Sequence, residues 1–127
     1  MIRGARPSLA IMAVALTVTL PGVLPARAHH SGAEYDTSKQ VQLVGEVKEF
    51  RWANPHVWMA VSANEGTGPA RDWHIEAGSV GMMARVGWTR AAVKAGDKVT
   101  VIVNPVRSGE PAGALVKVSL ADGRALG

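Results

Sequence analysis

The chain of 127 residues contains no cysteine. That excludes a disulfide, a thiol nucleophile, a thiolate metal site and a lipid attached through sulfur. It has one phenylalanine and one tyrosine against four tryptophans. A phosphate loop and a dinucleotide fingerprint are both missing. Gly78-Ser79-Val80-Gly81 lacks the glycine two before the serine that a nucleophile elbow needs. Paired carboxylates are lacking as well. A regular strand puts Glu46 and Glu49 on opposite faces, and Asp72 and Glu76, which share a face, stand about 13 Å apart at ~3.3 Å per residue. No catalytic arrangement is legible.

The apolar run Leu9 to Leu20 is twelve residues long, short of the roughly 20 a membrane-spanning helix requires. Arg3 and Arg6 precede it, Pro21, Gly22 and Pro25 break it, and Ala26-Arg27-Ala28 supplies small residues at −3 and −1. Residues 1–28 therefore read as a signal peptide cleaved before His29, giving a periplasmic or secreted protein with no membrane attachment after cleavage. Three of the 14 basic residues lie in that leader, which leaves 11 against 10 acidic ones. Those that remain alternate with acids and form no basic face, so nucleic acid is not an expected partner.

Residues 29–40 are polar and without period, an extended arm. Residues 41–127 carry the pattern of a single small β domain. Val41–Phe50, His56–Ala63, Arg71–Gly78, Lys98–Val106 and Ala114–Ala121 read as strands, with Gly45 marking a bulge or bend in the first. Asn54-Pro55 is a turn signal. Ser79 can cap a short helix through Met82, Met83 and Val86, and Thr89 a turn through Ala91 to Val93. The order of three strands, a short helix and two strands predicts a mainly β, five-stranded OB-like barrel, with an open β-sandwich as the alternative.

An ordered set of landmarks spans nearly the whole mature chain: His29-His30-Ser31, Glu34-Tyr35-Asp36, Val41-Gln42-Leu43-Val44-Gly45-Glu46-Val47, Trp52-Ala53-Asn54-Pro55-His56, Trp73-His74-Ile75-Glu76, Gly87-Trp88-Thr89, Gly96-Asp97-Lys98-Val99 and Asp122-Gly123-Arg124. In these the chain resembles a bacterial family of small exported proteins known as domain of unknown function 6152. The resemblance implies export and a compact β domain, and no activity. The family pattern has an apolar or aromatic residue where His74 stands, so His74 inherits no shared role from it.

Two places invite a ligand. Trp52, Asn54, His56 and Trp58 flank the Asn54-Pro55 turn and are expected to line one cleft for a small ligand or a periplasmic partner protein, since Trp faces stack on planar groups. Trp73 and Trp88 are expected in the core. The second place is the His29-His30 doublet. Cleavage after Ala28 frees an α-amine with a pKa of about 8. That amine, the two imidazoles and His56 would form a nitrogen-rich set of the kind that favours Cu(II); otherwise the doublet is a solvated chain end. Met82 and Met83 are soft donors, but at helical spacing they read as core. The expected function is a non-catalytic binding or accessory module, with a periplasmic copper-binding protein as the alternative.

Overall fold

The computed structural model describes residues 32–127. Residues 1–31, with the expected leader, His29 and His30, lie outside them. The strands are β1 (Val41–Arg51), β2 (Trp58–Glu65), β3 (Arg71–Glu76), β4 (Lys98–Pro105), β5 (Ala112–Leu120) and β6 (Ala125–Leu126), with one helix, α1 (Val80–Arg85), between β3 and β4. The sheet runs β3-β2-β1-β4-β5-β6, and β3 also pairs with β5. All ladders are antiparallel except β3–β5, which is parallel and pairs His74 with Ala112, Ile75 with Gly113 and Glu76 with Ala114. That last ladder closes five strands into a mixed barrel and rules out the open sandwich. Among the described residues no helix is long and apolar enough to cross a membrane.

The period-two pattern builds the interior. Leu43 and Val47 of β1, Met59 and Val61 of β2, Trp73 and Ile75 of β3, Val99, Val101 and Val103 of β4, and Val118 of β5 are buried. Trp88, which is 1% exposed, packs against Phe50 at a centroid distance of 6.1 Å and belongs to the core cluster together with Ala92 and Val93. Burial of such apolar surface is the main favourable contribution in a chain with no cross-link. Ser79 caps α1 by accepting a hydrogen bond from Met82 N. The methionine pair divides: Met83 is buried and Met82 is exposed.

Three details depart from the simple alternation. The irregularity in β1 falls between Val47 and Glu49, not at Gly45. The extra residue at Lys48 resets the alternation, so Glu46 opposite Ser62 and Glu49 opposite Ala60 share the outer face, correcting their expected opposition. Gly45 is needed for a different reason: a Cβ there would lie 2.0 Å from the Ser62 carbonyl oxygen, so β1 and β2 approach too closely for any side chain. Finally, β5 begins two residues earlier than expected, because Ala112 and Gly113 are drawn into the β3 ladder. What reads as a tail after Asp122-Gly123 forms β6 on Val118 and Ser119 of β5, beyond the stretch of β5 that pairs with β3.

Residues 32–40 are pinned across one end of the barrel. Gly32–Glu34 form a 3₁₀ turn and Tyr35 bridges Val106. Asp36 N donates to Pro105 O at 2.8 Å and Arg107 N to Glu34 O at 3.0 Å. Asn104 Nδ2 donates to Lys39 O at 2.7 Å.

Candidate functional site

The expected cleft of Trp52, Asn54, His56 and Trp58 separates into three environments. Trp52 is half-buried against the core and tilts onto Phe50 at 6.3 Å. Asn54, whose peptide bond to Pro55 is cis, accepts a hydrogen bond from Val80 N through Oδ1 at 3.0 Å. It thereby ties the β1–β2 connection to the start of α1. Both side chains thus have partners within the fold. His56 and Trp58 remain on the outside, as the alternation requires once Val57 and Met59 are buried.

His56 lies just before β2, where Val57 N donates to Gly78 O at 2.9 Å and Ala77 N to Val57 O at 2.8 Å. The imidazole Nδ1 is 3.8 Å from Glu76 Oε1, at the end of β3. The other carboxylate oxygen, Oε2, accepts the phenol of Tyr35 at 2.5 Å. Tyr35 comes from the arm, so one carboxylate joins the arm to the β2–β3 face. Burial, then the hydrogen bond to Glu76, pushes the Tyr35 phenol well above its ordinary value of 10. Gly32, Tyr35, His56, Glu76 and Gly78 line a shallow cavity here of ≈ 280 Å³.

Trp58 is Glu76's cross-strand partner and stacks on His74 with ring centroids 5.0 Å apart and planes inclined at 37°. Such neighbours on one face of a sheet are in direct contact. The opposing residues on β5 are Ala112 beside His74 and Ala114 beside Glu76; His74 stays exposed and Glu76 half-buried. His56, Trp58, His74, Glu76 and Tyr35 thus form one continuous surface. It combines an aromatic pair, a carboxylate and two imidazoles. His56 and Trp58 were legible from the sequence. Glu76 and Tyr35 were not singled out, although Glu76 follows His74 by two and so shares its face. His74, to which the family resemblance gives no role, is exposed yet partners Trp58.

The expected metal ligands His29 and His30 lie outside the described residues. Among the described residues no group of three or more His, Cys, Asp or Glu is placed to hold a metal ion.

A larger groove, ≈ 510 Å³, lies over β1 and β4 and is lined by Val44, Glu46, Lys48, Lys98 and Thr100 among others. Lys98 Nζ donates to Glu46 Oε2 at 2.5 Å and Lys48 Nζ to Oε1 at 3.0 Å. These hydrogen bonds, Lys98 first, lower the Glu46 carboxyl to about 2.

The model of a family of unknown function (DUF6152) matches residues 18–116, and the chain belongs to that family. No curated protein and no solved structure matches it.

Proposed function

Because membership of this family brings no activity with it, we infer from the geometry that the protein is a non-catalytic binding or accessory module working on the outer β2–β3 face. The observation that carries the reading is the junction at Glu76. One carboxylate is shared between the arm's Tyr35 and the imidazole of His56, beside the Trp58–His74 stack. A stacked aromatic pair next to a hydrogen-bonding carboxylate suits a small ligand with one planar or apolar face and polar edges, or a loop of a partner protein offering the same chemistry. The OB-type topology is a supporting analogy, since such barrels commonly bind on the outer surface of strands two and three.

The start of the chain supports an exported setting for this reading. The Arg3/Arg6 start, the twelve-residue apolar run and Ala26-Arg27-Ala28 fit a leader removed before His29. The mature domain would then act in the periplasm or outside the cell, with a near-neutral charge that gives no purchase on nucleic acid.

The test is capture from an extract of the exported compartment with tagged mature protein, followed by mass spectrometry of proteins and small molecules. Trp58→Ala and His74→Ala should lose whatever the parent retains, while Thr100→Ala in the larger groove should keep it. Retention by both β2–β3 variants would remove the reading. Sequencing of the N-terminus in the same preparation should return His29, and a start at Met1 would remove the export claim.

A further inference from the structure

The charge around the Trp58–His74 stack is uneven. Across the β2–β3 ladder Trp58 stands opposite Glu76, Ala60 opposite His74 and Ser62 opposite Asp72. Across the β1–β2 ladder Ala60 stands opposite Glu49 and Trp58 opposite Arg51. These outer rows set three carboxylates, Glu49, Asp72 and Glu76, about the two rings against one cation, Arg51. Among the described residues no lysine or arginine pairs with any of the three, whereas Glu46 on the neighbouring surface is matched by Lys98 and Lys48.

Glu76 is the best-defined acceptor of the three. Tyr35 donates to its Oε2 at 2.5 Å, which holds the carboxylate in place. Its Oε1 stands 3.8 Å from His56 Nδ1, beyond hydrogen-bond distance, and receives no hydrogen bond among the described residues. Residues directly opposed on one sheet face have Cβ atoms only ~4.5–5.5 Å apart. A group resting on the Trp58 indole therefore reaches the Glu76 carboxylate with no other side chain between them.

An aromatic ring beside a held carboxylate selects a cation, which gains from the ring quadrupole and from a charge-assisted hydrogen bond. A guanidinium suits the pair better than an ammonium, because it is planar and stacks flat while its N–H edge addresses a carboxylate. The surface is an open sheet face, and the cavity beside it measures only ≈ 280 Å³. Free small molecules are held in pockets that cover most of their surface. A side chain carried by a larger partner needs no such pocket, since contacts elsewhere add to its affinity.

We propose that the β2–β3 face receives an arginine side chain from an exposed loop of a partner protein, its guanidinium lying on Trp58 and donating to Glu76 Oε1. Glu49 and Asp72 supply the surrounding negative field, and Arg51, on the β1 side of Trp58, turns the guanidinium toward Glu76. The proposal rests on the β2–β3 face being the working face and names the chemistry of its partner.

The experiment expresses the full chain, purifies the product from the cells and follows its proton–nitrogen correlation spectrum as the capped tripeptide acetyl-Gly-Arg-Gly-amide is added at low salt. The Trp58 indole N–H and the amides of β2 and β3 should shift and saturate, with the millimolar affinity expected of a single side chain. The citrulline peptide, uncharged and of the same shape, should bind at least about tenfold more weakly, and the lysine peptide at least about threefold. Glu76→Gln, whose amide oxygen can still accept the Tyr35 phenol, should weaken the arginine peptide at least about fivefold, and so should Trp58→Leu. Glu46→Gln should stay within twofold. Melting curves establish that each variant is folded. The proposal is overturned if the citrulline or lysine peptide binds as tightly as the arginine peptide, if Glu76→Gln and Trp58→Leu both stay within twofold, or if the shifts fall on the groove over β1 and β4. Free arginine brings its own carboxylate up to Glu49 and Asp72 and should bind more weakly than the capped peptide; tighter binding would overturn the partner loop. Failure here with capture by the Trp58–His74 surface intact would remove the arginine alone. Loss of that capture would remove the underlying reading.

Discussion

Two of the concave surfaces on the outside of the barrel differ in what they offer, and the larger of the pair is the less promising. The groove over β1 and β4 measures ≈ 510 Å³, but its central carboxylate, Glu46, is already matched by Lys98 and Lys48. Those are exposed surface pairs, which contribute little and are screened by salt. The cavity at the end of β2 and β3 is about half that size, ≈ 280 Å³. There Glu76 holds Tyr35 through a hydrogen bond and faces the half-exposed His56 imidazole at 3.8 Å. Volume ranks the surfaces one way and unspent chemistry the other. The chemistry is the better guide, because a ligand gains most where it meets polar groups not already paired with each other.

The comparison can be sharpened by variants on each side, and the largest effect is expected where the first groove is pure architecture. Gly45 lies in its lining, and a Cβ there meets Ser62 O at 2.0 Å and the Ala63 Cα at 2.6 Å. Both are backbone atoms that cannot rotate away. Gly45→Ala should cost at least about 3 kcal/mol, the upper range of overpacking, visible as a large drop in melting temperature or as failure to fold. A near-normal melt would show that β1 and β2 can separate and that the groove is soft.

A smaller effect is expected at Tyr35, the only tyrosine in the chain. Tyr35→Phe removes the phenol's hydrogen bond to a half-buried carboxylate and should cost about 1–2 kcal/mol. The same residue reports directly. Its pKa is raised in the fold, so its contribution to stability is fully present below the unfolded value near 10 and is lost as pH rises through the higher folded value. Ultraviolet difference titration should show little phenolate at pH 10. Glu76→Gln should lower the midpoint part of the way, since burial remains the larger cause. A phenol that titrates at 10 in the parent would break the Tyr35–Glu76 junction.

The smallest effect belongs to Glu46. Its carboxyl is lowered from 4.5 to about 2, so its stabilising contribution is present above pH 4.5 and disappears as pH falls through 2. Glu46→Gln should lower the melting temperature only slightly at neutral pH, because the pairs are exposed, and the two proteins should converge as pH falls from 4.5 to 2. The difference should vanish in 1 M salt, where the Debye length is roughly 3 Å. A marked loss at neutral pH would mean the groove over β1 and β4 carries more than solvated ion pairs.

Most of the barrel was legible because a half-buried strand alternates. The Val99-Val101-Val103 and Val57-Met59-Val61 series, the Ser79 cap and the placement of α1 all follow from local pattern. The bulge at Lys48 was not legible, since no residue type marks it, and it reversed the facing of Glu49. The strand β6 was missed because its two residues form only by pairing with β5. The site was half legible for the same reason. His56 and Trp58 sit on one strand face and announce themselves, whereas Tyr35 reaches Glu76 across 41 positions. Trp52 and Asn54 were drawn into the cleft by sequence proximity alone. Their partners, Phe50 for Trp52 and the Val80 amide for Asn54, could not be read from that proximity.

One measurement bears most directly on which face works. A benzophenone amino acid can be placed at Ala60, which pairs with His74 on the outer side of β2, or at Thr100 in the larger groove. The full chain is then expressed in living cells, irradiated, and the adducts identified by mass spectrometry. A specific adduct from position 60 and none from position 100 is the predicted result. Adducts from position 100 alone, or from neither position, would contradict the claim that the β2–β3 face is where this protein meets its ligand.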